Sequence, residues 1–140
     1  AIEGLRIFTE SPNPQNLFVK GRRFDRPLFD VFFTVAMSLF QLITLKVMMT
    51  DINAQPTMFH RTLFEKWQNP PHDFSLDLFV FYHAKLGRLS IQRFPVRFGE
   101  RAYGEAHLKN LKAKINYSLQ TIRYSQQIKK TFFSDPNRVE

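Results

Sequence analysis

Cysteine is missing from all 140 residues, which excludes disulfides and cysteine-based zinc frameworks and suits a chain that works in a reducing cytosol. There is no Asp-x-Asp, so the commonest paired-carboxylate arrangement for a divalent metal is not available, and there is no internal repeat or low-complexity tract that would point to an array or a linker. Ala1 to Glu10 shows no charged start followed by an apolar run and a small-residue cleavage site, so no secretory signal is expected there. The chain has no initiating Met and opens on what reads as the tail of a helix, residues 1–9, which suggests an excised piece. Acids are also missing between Leu108 and Thr131, a stretch rich in lysine.

Hydrophobic residues make up 44% of the chain and aromatics 15%, with 16 phenylalanines, enough to bury a core within the usual size of one domain. The formal charge of +8 and a pI near 10.1 call for anionic partners. The phosphates of a sugar donor, a lipid headgroup and a nucleic acid all satisfy that field.

After the turn-rich Ser11, Pro12, Asn13 and Pro14, the run Leu17, Phe18, Val19 reads as a buried strand that delivers Lys20, Gly21, Arg22 and Arg23 to a loop. Pro27 fits a first helical turn behind Asp25, and residues 28–49 form a long apolar helix interrupted by Asp30, Thr34, Ser38, Gln41, Thr44 and Lys46. Thr34, Ser38, Gln41 and Thr44 recur at helical spacing and mark one polar stripe, which argues for a buried or interfacial helix over a membrane-spanning one. Asp51 to Pro56 reads as a polar loop, residues 61–67 as a short helix, and Ser75 as the cap of a helix that Gly87 stops. Residues 91–98 alternate around Pro95 as an edge strand. Leu108, Leu111, Ile115, Leu119 and Ile122 then trace one face of a basic amphipathic helix over residues 108–133, and residues 134–140 are expected to be a flexible tail. Strands alternating with helices give an α/β class, but so few strands imply that the sheet continues elsewhere.

Arg22, Arg23, Arg26, Arg97 and Arg101 cluster at strand ends, and the planar, permanently charged guanidinium fork suits phosphate better than it suits bulk solubility. In Arg97-Phe-Gly-Glu-Arg101-Ala-Tyr-Gly104-Glu105 two glycines bracket an arginine between a strand and a helix start, where backbone N–H groups can meet an anion. His107 lies beside that segment with its role open. His83 reads as a packed ring, Trp67 and the phenylalanines as core, and Asp73 and Asp77 as a helix-start acid and a solvated acid.

Lys20-Gly-Arg-Arg23, Asp51-Ile-Asn-Ala-Gln-Pro56, Asp73-Phe-Ser-Leu-Asp77 and Pro95-Val-Arg-Phe-Gly-Glu-Arg101-Ala-Tyr-Gly104-Glu105, in that order, resemble the C-terminal half of family 2 glycosyltransferases. The likeness is to the branch similar to dolichyl-phosphate mannosyltransferase and other polyprenyl-phosphate glycosyltransferases. It implies a partial GT-A fold lacking its N-terminal nucleotide-binding strands, residues 1–107 being the acceptor-side part. It implies a nucleotide-sugar donor, an anionic lipid-linked acceptor at the cytoplasmic face of a membrane, and a divalent metal, Mg or Mn, whose ligands lie outside this chain. Arg22, Arg23, Arg26, Arg97, Arg101, Gly104 and His107 are the expected phosphate or acceptor contacts. Ala106 and His107 stand where the commoner pattern has a serine and a lysine.

A hydroxyl acceptor needs a general base, for which Asp51 is the first candidate and Asp77 the second; a phosphate acceptor, largely dianionic at neutral pH, needs none. Two other classes compete, a basic nucleic-acid-binding module and a non-catalytic membrane-surface adaptor. The clustering of aromatics in apolar runs, where stacking platforms interleave them with cations, argues against nucleic acid.

Overall fold

The computed structural model describes residues 2–97 and 111–133. Residues 17–24 alternate sides in the manner of a strand (β1, Leu17–Phe24), and this strand is the centre of a three-stranded mixed sheet. A short antiparallel strand (β2, Thr57–Phe59) flanks it on one side and a parallel strand (β3, Ser90–Arg97) on the other. The parallel register runs without a break from Leu17 opposite Ser90 to Phe24 opposite Arg97. Lys20 to Arg23 therefore lie within the strand and not in a loop beyond it, because β3 supplies ladder partners for the whole segment. Pro95 sits opposite Arg22 on the edge strand, where a missing backbone N–H is tolerated. Neither outer edge of the sheet is paired among the described residues.

The two faces of the sheet build two cores. Leu17, Val19 and Phe94 pack with Ile7, Phe8, Met58 and Val96 under a first helix (α1, Ile2–Thr9). Gly4 lets α1 come this close, since a Cβ there would stand 2.5 Å from the Phe94 ring. On the opposite face Phe18 stacks between Phe59 and Phe81, with ring centroids 5.9 and 5.6 Å away. Leu45, Met49, Ile52 and Ile128 complete that core with the apolar helix α4 (Leu76–Leu86).

The long apolar helix (α2, Leu28–Leu45) ends earlier than its composition suggests. Lys46 takes a left-handed φ of 58° and donates its N–H to the Leu42 carbonyl at 3.0 Å, a helix-stopping geometry, and Met49 then turns into the core. A single turn (α3, Arg61–Phe64) comes next, shorter than residues 61–67, with the Thr62 N–H donating to His60 Nδ1. Ser75 does not cap α4, because its own backbone is already helical and its hydroxyl is buried without a partner among the described residues. Asp73 takes the role instead: its Oδ1 accepts from the Ser75 N–H at 2.8 Å and its carbonyl from the Leu76 N–H.

The last helix (α5, Leu111–Phe133) packs against α2. The seam between them includes a polar contact. Gln41 of α2 and Ser125 of α5 are both buried, and the Ser125 hydroxyl lies 2.9 Å from Gln41 Oε1; Ser38, also buried, donates to the Thr34 carbonyl and borders the arginine cleft. The polar stripe of α2 thus faces the protein, and Leu28, Phe32, Val35, Leu39 and Ile43 face outward. α2 is long and apolar enough, by length and composition, to cross a membrane. The chain is an α/β protein with a small mixed sheet and, among the described residues, five α-helices. Arg101, Gly104, Glu105, His107 and the tail from residue 134 lie outside the described residues.

Candidate functional site

Asp51 comes two residues after the buried Met49, at the head of the polar loop, and holds a left-handed φ of 49°. Aspartate is among the few non-glycine residues that tolerate this region. The turn carries its carboxylate to the end of β1. There the Arg23 backbone N–H donates to Oδ2 at 2.9 Å and Arg23 Nε donates to Oδ1 at 2.8 Å. Arg23 Nη2 also donates to Oδ1, and Arg26 Nη1 reaches it at 3.2 Å. Burial alone pushes the Asp51 carboxyl up; the hydrogen bonds from Arg23 and the charges of Arg23 and Arg26 outweigh it and hold the group below its ordinary 3.8.

Arg26 is itself fixed. Its Nη2 donates to Thr34 Oγ1 at 2.9 Å and to the Asp30 carbonyl at 3.3 Å, tying the start of α2 to Asp51. Burial first, and then the neighbouring Arg23, lower its pKa. Arg93 enters from β3, with Nη1 donating to the Gly21 carbonyl at 3.0 Å and Nη2 to the Thr50 carbonyl, and its guanidinium 5.1 Å from the Phe81 ring centroid. The Arg22 side chain is exposed and makes no hydrogen bond or ion pair among the described residues.

These groups line a cleft of about 590 Å³. One wall is polar and cationic, carrying Arg22, Arg23, Arg26 and Arg93 with Asp51 as the sole carboxylate among its lining residues. The α2 side of the lining brings the aliphatic Val31, Val35 and Leu39, with Thr34 and Ser38 between them, and Met48 follows the helix. With four guanidinium groups against one carboxylate, the cleft is left with a positive excess.

The polar loop is pinned to the strand beneath it. Gly21 donates its N–H to the Pro56 carbonyl at 3.0 Å, and a Cβ at Gly21 would lie 2.5 Å from the Gln55 carbonyl oxygen, so only glycine admits this approach; the Gln55–Pro56 peptide is cis. Gln55 Nε2 in turn donates to Asp77 Oδ1 at 2.7 Å. Asp77 is half-buried; desolvation raises its pKa, partly countered by Lys20 and the Gln55 bond. A smaller cavity of about 220 Å³, lined by Asp73, Phe74, Leu76 and Asp77, opens beside it.

Lys20 lies under the loop at 1% exposure, its Nζ donating to the Ala54 carbonyl and to Thr57 Oγ1, each at 2.9 Å. Burial lowers its pKa to about 8, against the upward pull of Asp77 and Asp51.

Of the arginines singled out by sequence, Arg22, Arg23 and Arg26 come together. Arg97 does not line the cleft; it is exposed and pairs with Asp25 at 3.1 Å, a surface contact of little energetic weight. Arg93 and the buried Lys20 were missed. Both were accessible to a period-two reading: Lys20 shares the inward side of β1 with Phe18, and Arg93 sits opposite Lys20 in the parallel register.

No set of three or more His, Asp or Glu side chains is placed to hold a metal among the described residues. The Asp73 carboxylate is taken by the Ser75 N–H and by Gln120 Nε2, and Asp51 by two arginines, so neither is a ready metal ligand. His83 packs 4.2 Å from the Phe79 ring, and burial lowers its pKa. Comparison of the chain with protein-family models, with curated proteins and with solved structures returns no match.

Proposed function

We propose that this chain is the acceptor-side part of a family 2-like, GT-A glycosyltransferase and that its cleft receives a membrane lipid phosphate, such as a polyprenyl phosphate. The observation that carries this reading is a single cleft lined both by arginines and by aliphatic side chains of α2. That combination matches an amphiphile with an anionic head and a hydrocarbon tail, and neither a free sugar nor a nucleic acid needs both. Convergence adds support. Three of the four blocks that resemble the family meet in space, with Asp51 held by Arg23 across 28 positions and Gln55 held by Asp77 across 22.

In this reading a phosphate oxygen of the acceptor attacks the anomeric carbon of the sugar, the bond from that carbon to the departing nucleoside diphosphate breaks, and inversion results. A phosphate monoester with a second pKa of about 6 is already a nucleophile at neutral pH, so no base is required. Arg22 and Arg93 bind the head, and Arg23 and Arg26 hold the wall in place through Asp51. Engaged by both arginines, Asp51 serves as a positioning group. Asp77, with its raised pKa and its hydrogen bond from Gln55, lines the smaller cavity and not the arginine cleft, so it is a candidate base only for a hydroxyl acceptor that reaches that cavity. The donor site and the metal, Mg or Mn, belong to residues outside this chain, which works at the cytoplasmic face of the membrane and by itself transfers no sugar.

Calorimetric titration with farnesyl phosphate, farnesol and inorganic phosphate tests the reading. Binding of farnesyl phosphate at least tenfold tighter than either partial ligand is expected, and Arg22→Gln should weaken it about tenfold, the loss of roughly one charge-assisted contact. Equal affinity for farnesyl phosphate and inorganic phosphate, or tight polynucleotide binding at matched salt with no farnesyl phosphate binding, would overturn it.

A further inference from the structure

We infer that the outward face of α2 inserts in the plane of an anionic phospholipid bilayer, placing the arginine cleft at headgroup depth. Leu28, Phe32, Val35, Leu39 and Ile43 succeed one another at steps of three and four residues and are 87%, 70%, 60%, 55% and 61% exposed. The row runs about 22 Å along the helix. A helix on a water-facing surface turns its polar side outward; here Ser38 and Gln41 are buried, Gln41 against α5, and the large apolar side chains are left outside.

Insertion is in the plane and not across the bilayer. α5 lies against α2 and carries Arg123, Lys129 and Lys130 on its exposed surface, and a spanning α2 would drag these cations into hydrocarbon. An in-plane α2 buries its apolar row while the cations stay among headgroups. Charge selects the occupant. The exposed Arg22 flanks the first half of the row, the exposed Lys46 ends it, and the whole chain carries +8, so anionic lipid is complementary to the rim. A second copy of the chain would bring two such rims together and is disfavoured by the same charges. The cleft's aliphatic lining, Val31, Val35 and Leu39, is continuous with the row, so a lipid tail passes from bilayer to cleft without crossing water. On α5 the described buried positions are Thr121, Ser125 and Ile128, and this helix packs against α2.

Insertion of α2 rests on the membrane side of the proposed function and is tested without sugar or prenyl phosphate. Because the chain has no cysteine, Phe32→Cys, Leu39→Cys and, as a control, the exposed Glu65→Cys each accept one environment-sensitive nitrobenzoxadiazole label. With vesicles of phosphatidylcholine and phosphatidylglycerol at 3:1, the labels at 32 and 39 should shift to the blue and brighten several-fold while the label at 65 stays unchanged. Vesicle affinity should fall at least tenfold in the Leu28→Ser, Phe32→Ser, Leu39→Ser triple variant with an unaltered far-ultraviolet circular dichroism spectrum. No response at 32 and 39, an equal response at 65, or labels already shielded without vesicles in a sedimenting dimer would overturn it. Insertion without farnesyl phosphate binding would sink the proposed function alone, and farnesyl phosphate binding without insertion would sink this inference alone.

Discussion

At Asp51 one carboxylate, almost wholly removed from water, holds two guanidinium groups that would otherwise repel each other. Removing one partner of such a cluster leaves the others buried and uncompensated, which costs more than the pair contributes net. Asp51→Asn is therefore expected to lower stability by about 2 kcal/mol at neutral pH, read from urea unfolding. The same substitution should change the acid limb. A carboxyl held below its ordinary value contributes stability that is complete above about pH 4 and is lost as pH falls through its folded pKa, and the asparagine variant should lack that loss. An unchanged acid limb would mean that the Arg23 and Arg26 contacts do not persist in solution. Sequence alone marked Asp51 as important but as a candidate base; it could not reveal that Arg23 and Arg26 occupy the carboxylate, because that depends on a turn 28 residues away from its partner.

Among the elements, α2 and α5 are joined by a hydroxyl and an amide, Ser125 and Gln41, as well as through the core shared by Leu45 and Ile128. Gln41 is completely buried, with Oε1 bonded to Ser125 and Nε2 without a partner among the described residues. An orphaned buried donor carries the full cost of its desolvation. Gln41→Leu should accordingly be neutral or stabilise by up to about 1 kcal/mol, since Ser125 retains the Thr121 carbonyl at 2.7 Å. Destabilisation by more than about 1 kcal/mol in thermal unfolding would show that the amide has a partner in solution. The stripe of Thr34, Ser38, Gln41 and Thr44 was legible from spacing. Its direction was not, because a 3.6-residue period states which side chains share a face and leaves open whether that face meets water, protein or lipid.

For the molecule as a whole, pH links the buried Lys20 and the half-buried Tyr124, which act in opposite directions. Burial lowers Lys20 to about 8 from an ordinary 10.5, so between those values the unfolded chain binds the proton that the folded chain has released, and stability rises with pH. Tyr124, raised by burial to about 12 from 10, contributes stability that is present below pH 10 and is lost towards pH 12. The urea midpoint should thus climb from about pH 7.5 to about 9.5 and fall above about 10.5. Lys20→Met should remove most of the climb whatever it does to absolute stability, and an identical climb in that variant would refute the assignment to Lys20.

The sequence by itself determined the α/β class, a buried strand at Leu17 to Val19, the cationic character of Lys20 to Arg23, and the two long helices. Each depends on neighbours in the chain: alternation, helical spacing, composition and charge. The continuation of β1 through Phe24 was decided by pairing with β3, more than 70 residues away, and so were the entry of Arg93 into the cleft and the departure of Arg97 to Asp25. Only tertiary structure turned the polar side of α2 inward. Helical spacing is local and is written in the side chains, whereas the side that faces out is set by which other segments satisfy the buried hydrogen bonds, and for α2 these are Arg26 at Thr34 and α5 at Gln41.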